Sequence, residues 1–204
     1  MSRTITALAG AVALASAVGI AQTRRMASPP GTSAAEVTGR YNERDVYVGG
    51  KWIELRYGRP VKRGRDLFGP PDFAEALNDG APVWRAGANV STRLLTELPL
   101  VINGKRIAPG EHALFIELKR NDWTLIVSSW PAQTTYNPAN TKALWGSFGY
   151  TPAKDVVRVP MTLSTLPVSI DQLTWAFTDM SDAGGKLTIM WDRVMASSPF
   201  SVAR

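Results

Sequence analysis

From Val46 onward, apolar and polar positions alternate with a period of two, the pattern of half-buried strands. In the run Trp52 to Tyr57, Ile53, Leu55 and Tyr57 fall on one face, and Trp52, Glu54 and Arg56 on the other. Asn103-Gly104 has the residue types of a type I′ turn and predicts a tight hairpin. Pro109-Gly110 supplies the next turn. His112, Leu114, Ile116 and Leu118 then alternate with Ala113, Phe115 and Glu117, and Asn121-Asp122 turns the chain into Trp123, Leu125 and Val127. Val157, Val159, Met161 and Leu163 repeat the pattern, with Pro160 on the opposite face marking an edge strand or a bulge. Leu173, Trp175 and Phe177 form another apolar face, and Gly184-Gly185 leads into Leu187, Ile189 and Trp191. Helical spacing is confined to a weak signal over Asp72 to Leu77. Many short strands at close turn spacing predict an all-β domain, an antiparallel β-sandwich or barrel-like fold.

The amino terminus breaks this pattern. Residues 1–21 combine Arg3 with an uncharged run from Ile5 to Ile20 and small-x-small cleavage sequences, and they read as a signal peptide. A membrane span needs about 20 predominantly apolar residues, and this alanine-dominated run falls short. The expectation is export to the periplasm or beyond, with no stable membrane span after cleavage. Residues 22–36 are rich in Ser, Pro, Gly and Ala and predict a flexible tether. Residues 37–204 then make one β-rich domain, long enough to bury roughly 70% of its unfolded surface.

Composition narrows the chemistry. The chain has no cysteine and one histidine, which excludes disulfides, cysteine nucleophiles and clustered zinc sites of the usual kind. Stability must come from packing, to which seven tryptophans contribute. A serine triad would require His112, whose alternation places it with Leu114 and Ile116 as a packed, hydrogen-bonded residue. No nucleophile elbow, phosphate-binding loop or dinucleotide fingerprint occurs. Asp45, Asp66, Asp72 and Asp79 lack calcium-loop spacing. No cofactor is implied. The net charge of +6 favours anionic partners, but no nucleic-acid-binding motif accompanies it.

The positive charge is densest in one segment. Tyr57 to Gly69 reads Y-G-R-P-V-K-R-G-R-D-L-F-G, and Trp84 to Thr92 reads W-R-A-G-A-N-V-S-T. Further along come Ile107 to Phe115, Trp123, Trp145 to Tyr150, Lys154 to Val159, Leu173 to Phe177 and Leu187 to Trp191. Over roughly Ile53 to Phe200 this series resembles the secreted bacterial family named domain of unknown function 2911. The resemblance implies a secreted β-rich domain and supplies no catalytic residues. His112 stands where that family commonly has an aromatic residue, and the stretch Ser128 to Leu144 is longer than usual.

Two surfaces are candidates for binding. Pro60 pushes Arg59 towards an extended backbone and Gly64 permits a turn, so Arg59 and Arg65 are aimed in fixed directions. With Trp84, Arg85 and Asn89 they could hold an anionic or polyhydroxylated ligand, because the guanidinium fork suits carboxylate and phosphate. The competing reading has Arg65 or Arg85 pinning a long loop through carboxylates or backbone carbonyls. In the second stretch, Trp130 and Tyr136 lie among amides and hydroxyls, a mixture suited to the apolar face and polar rim of a sugar. Trp145 there is expected to pack back on the sheet. Three functions remain open: a non-catalytic binding module for a glycan or anionic ligand, a structural or protein-partner-binding envelope protein, and a hydrolase using converging carboxylates.

Overall fold

The structure, a computed structural model, describes residues 27–69, 75–137, 139 and 144–203, with the side chains of 75 and 76 excepted. The expected signal peptide at 1–21 and the first part of the expected tether lie outside those residues.

The alternation seen in the sequence becomes two packed antiparallel sheets. The first joins β1 (Pro30–Val37), β4 (Lys51–Gly58), β5 (Thr92–Thr96), β8 (Gly110–Lys119), β9 (Asp122–Ser128) and β10 (Asp155–Pro160), in the spatial order β1-β4-β5-β8-β9-β10. The second joins β11 (Thr162–Ser181), β12 (Gly184–Val202), β6 (Leu100–Ile102) and β7 (Lys105–Ile107), in the order β11-β12-β6-β7. A small hairpin, β2 (Arg40–Tyr41) with β3 (Tyr47–Val48), stands apart, and α1 (Glu75–Asn78) is a single turn. The architecture is a sandwich, not a closed barrel. Its turns follow the chemistry of their residues. Asn103 and Gly104 both take positive φ, 48° and 71°, as a type I′ hairpin between β6 and β7 requires. Pro160 lies in β10, at the free edge of the first sheet, where a missing donor costs no ladder bond.

Between the sheets lies the main core. Ile53, Leu55, Leu94, Leu114, Ile116 and Leu125 meet Leu100, Ile102, Ile107, Trp175, Leu187 and Ile189, all buried. Trp84 stacks on Trp191 at 6.1 Å and meets Trp123 edge-on at 6.4 Å, an arrangement worth about 0.5–1.5 kcal/mol per pair beyond its burial. Trp84 also exchanges both backbone hydrogen bonds with Ile116, at 2.8 and 2.9 Å, extending the ladder beside β8.

Three expectations need correction or refinement. Residues 30–36 of the expected tether belong instead to strand β1, which pairs along its length with β4. Its Ser and Ala residues have weak strand preference, and tertiary pairing overrides it. A second, smaller apolar cluster exists on the outer face of the first sheet. There Ala113, Phe115 and Ile126 pack with Val83, Trp130 and Tyr150. The strands β8 and β9 are therefore buried on both faces. His112 is half-buried, with Nε2 2.8 Å from the Ala108 carbonyl oxygen and Nδ1 enclosed without a partner.

Candidate functional site

The outer face of the first sheet is covered on one side and open on the other. Trp130, Ala132 and Tyr150 lie over β8 and β9, and Trp130 and Tyr150 pack edge-on against Phe115. Over β1, β4 and β5 nothing comparable covers the sheet among the described residues. Register sets what is displayed there. Thr32 pairs with Arg56, and Arg56 with Arg93. In the next row, Ala34, Glu54, Leu95 and Glu111 lie side by side. Two arginines directly opposite on neighbouring strands repel. Each is held by its own carboxylate: Arg56 Nε donates to Glu54 Oε1 at 2.5 Å, and Arg93 Nη1 to Glu111 Oε2 at 2.9 Å. Its hydrogen bond to Glu54 raises the Arg56 guanidinium above its ordinary pKa. Arg93 Nε is enclosed and has no acceptor.

A cleft of about 580 Å³ forms where the covered and open halves meet, a size typical of small-ligand sites. Its base carries Thr32, Arg56, Tyr57, Gly58 and Arg93, and its rim carries Ser28, Asn89 and Tyr136. The base is shaped by a close backbone crossing. A Cβ at Gly58 would stand 2.0 Å from the Ala88 carbonyl oxygen, so only glycine permits the approach. Asn89 takes positive φ, 68°, and its Nδ2 donates to the Ser28 carbonyl at 3.0 Å, tying the two rims together.

The wall bearing Tyr136 is fixed from below. Ser91 Oγ donates to the Gly146 carbonyl at 2.6 Å and accepts from the Gln133 backbone N–H at 2.9 Å. Gln133 Oε1 accepts from Gly146 N–H at 2.7 Å, and its Nε2 donates to the Phe148 carbonyl at 2.8 Å. Arg85 donates from Nη1 to the Trp145 carbonyl at 2.5 Å and from Nε to the Gly87 carbonyl at 3.2 Å. Burial lowers the Arg85 pKa to about 10, which leaves it charged at neutral pH. Tyr136 itself is 48% exposed.

The seven residues singled out in the sequence thus separate. Asn89 and Tyr136 line the cleft. Arg85 lies beneath the wall and supports it. Arg59 passes close to Gly31 at the cleft but sends its guanidinium to the Leu173 carbonyl and Thr174 Oγ1, each at 3.4 Å. Arg65 donates to the Lys62 and Val61 carbonyls, both at 2.9 Å, and lies over Trp191. Trp84 is in the main core. Trp130 packs on Phe115 and donates from Nε1 to the Gly149 carbonyl at 3.0 Å. Arg56 and Arg93 line the cleft without having been singled out. Alternation marks Arg56 as outward-facing, but only the strand register shows that Arg93 stands beside it.

Comparison with known proteins adds one match: the family described as "Protein of unknown function (DUF2911)" covers residues 40–200. Neither the curated proteins nor the solved structures yield a match.

Proposed function

We propose, for a chain that belongs to the DUF2911 family of proteins of unknown function, that it is an exported, non-catalytic binding domain whose cleft takes a glycan or an anionic small molecule. The cleft at the step of the outer sheet face carries this reading: two arginines, an amide and an exposed tyrosine converge there on a pinned frame. Such a site offers planar hydrogen-bonding forks below and an aromatic surface at the side. Arg3 followed by the uncharged run from Ile5 to Ile20 supports export.

The hydrolase reading gains less support. Glu54 and Glu111 are each bound by an arginine, and Glu97 accepts from the Trp52 backbone N–H at 2.9 Å. A general acid or base must have its carboxyl free to reach the reacting group, and these three are already engaged. The partner-binding reading draws on the β2–β3 hairpin, where Tyr41 is 70% and Val46 52% exposed. Val48 adds to that exposed cluster, but the cleft, where hydrogen-bonding side chains meet an aromatic ring, is the more specific feature.

A thermal-shift screen against soluble glycans, uronic acids and phosphates tests the reading. A ligand at 100 times its Kd adds about 2.7 kcal/mol to stability. The expected result is a hit whose shift is lost in Tyr136→Ala. An equal shift in that variant would place the site elsewhere, and a flat panel would remove the small-ligand reading.

A further inference from the structure

The cleft does not end at Arg56. A second, shallower groove of about 370 Å³ continues from it across the same open face, lined by Trp52, Glu54, Arg56, Leu95, Glu97 and Glu111. Arg56 lines both. At the far end Trp52 is 48% exposed, as Tyr136 is at the near end. Trp52 and Arg56 are outward-facing on one strand, and the strand rise of about 3.4 Å per residue places their Cα atoms ~14 Å apart. That is the length of a short chain of sugar rings, not of one ring.

The charges along this path decide the ligand's chemistry. Both arginines are matched by carboxylates at hydrogen-bond distance, and Glu97 adds a third acidic group. The path is therefore rich in donors and acceptors but carries no excess positive charge. A strongly anionic chain would meet three carboxylates and two arginines already engaged. A neutral polyol would meet guanidinium donors and carboxylate acceptors side by side, which suits hydroxyl groups that both give and take hydrogen bonds. Exposed aromatic rings at the two ends supply apolar surface for sugar faces.

From these observations we infer that the cleft and the groove form one track along β4 for a neutral, linear oligosaccharide, with Tyr136 and Trp52 as its terminal platforms. The inference rests on the cleft being a binding site and names what the site takes.

The test is binding of the full chain to an array of immobilised linear glycans, neutral and uronic-acid types, graded from mono- to hexasaccharide. Affinity for a neutral series should rise with length. Trp52→Ala should lower affinity for the long members up to about tenfold, the scale of one lost ring contact, and leave the shortest binders unchanged. Tyr136→Ala should weaken long and short alike. Both residues are exposed, so circular dichroism of the variants should match the wild type. Binding that is independent of length, or untouched by Trp52→Ala, would overturn the track while leaving the cleft as a small-ligand site. Preference for the acidic series would overturn the neutral assignment. Absence of binding to every glycan, together with a flat thermal-shift panel, would overturn both the track and the cleft.

Discussion

Lys62 Nζ lies 2.5 Å from Asp192 Oδ1, with both side chains largely shielded from solvent. Burial alone would raise the Asp192 carboxyl, but hydrogen bonds from Lys62 and Ser169 outweigh it and hold the group below its ordinary pKa. A depressed carboxyl stabilises the fold above the unfolded value, about 3.9. That contribution is lost as pH falls through the lower, folded value. Asp192 has φ of 54°, a conformation asparagine also tolerates, so Asp192→Asn removes the charge without straining the backbone. It should cost about 1–2 kcal/mol at neutral pH and flatten the acid limb of the stability profile, as urea titrations at several pH values would reveal. Arg85→Met should lower stability by about 2–3 kcal/mol, because buried hydrogen bonds from a charged donor are lost. It should also speed amide hydrogen exchange over 133–136; unchanged exchange would mean the wall stands without it. Sequence density drew attention to Arg59, Arg65 and Arg85, and all three donate to backbone carbonyls. Arg56 and Arg93 lie in ordinary strand patterns, and their adjacency is a property of register.

At the scale of elements, the basic stretch after β4 has a structural use that composition does not suggest. Val61 bridges to Gln172 on the outer edge of β11. Lys62 N–H donates to the Asp171 carbonyl at 2.6 Å, and Leu173 N–H donates to the Pro60 carbonyl at 2.9 Å. The segment leaves one sheet and shields the free edge of the other, an edge that would otherwise invite pairing with a second chain. Strands β4, β8 and β9 and the first part of β12, to Trp191, were legible from alternation alone. β1 was not, because Ser, Ala and Gly give no periodic apolar signal and only its pairing with β4 defines it. Gly58→Ala tests the crossing beneath the cleft. The added methyl would collide with backbone, not with a yielding side chain, so a loss of about 2 kcal/mol or more is expected. Chemical denaturation measures it, and a neutral result would mean that the 86–90 turn can shift.

For the molecule as a whole, the two apolar clusters share β8 and β9, so neither can loosen without disturbing the other. Unfolding should be a single transition, with far-ultraviolet circular dichroism and tryptophan fluorescence falling together. Two separated transitions would show the outer cluster and its covering segment to be an independent unit. The all-β class was readable from patterning. The docking of Trp130 and Tyr150 on the outer face was not, since the sequence around them carries no period that says where they pack.

Ser28 and Pro30 stand on the rim of the cleft, whereas Ala203 is held at Pro99, where β6 begins in the opposite sheet. The chain therefore enters the domain beside the mouth of the cleft and leaves from another face. A purification tag or fluorescent fusion joined near residue 27 would crowd that mouth and compete with whatever enters it. A fusion at the other end would start near Pro99, away from that mouth, so the choice of end decides how freely the mouth of the cleft is reached in a binding assay.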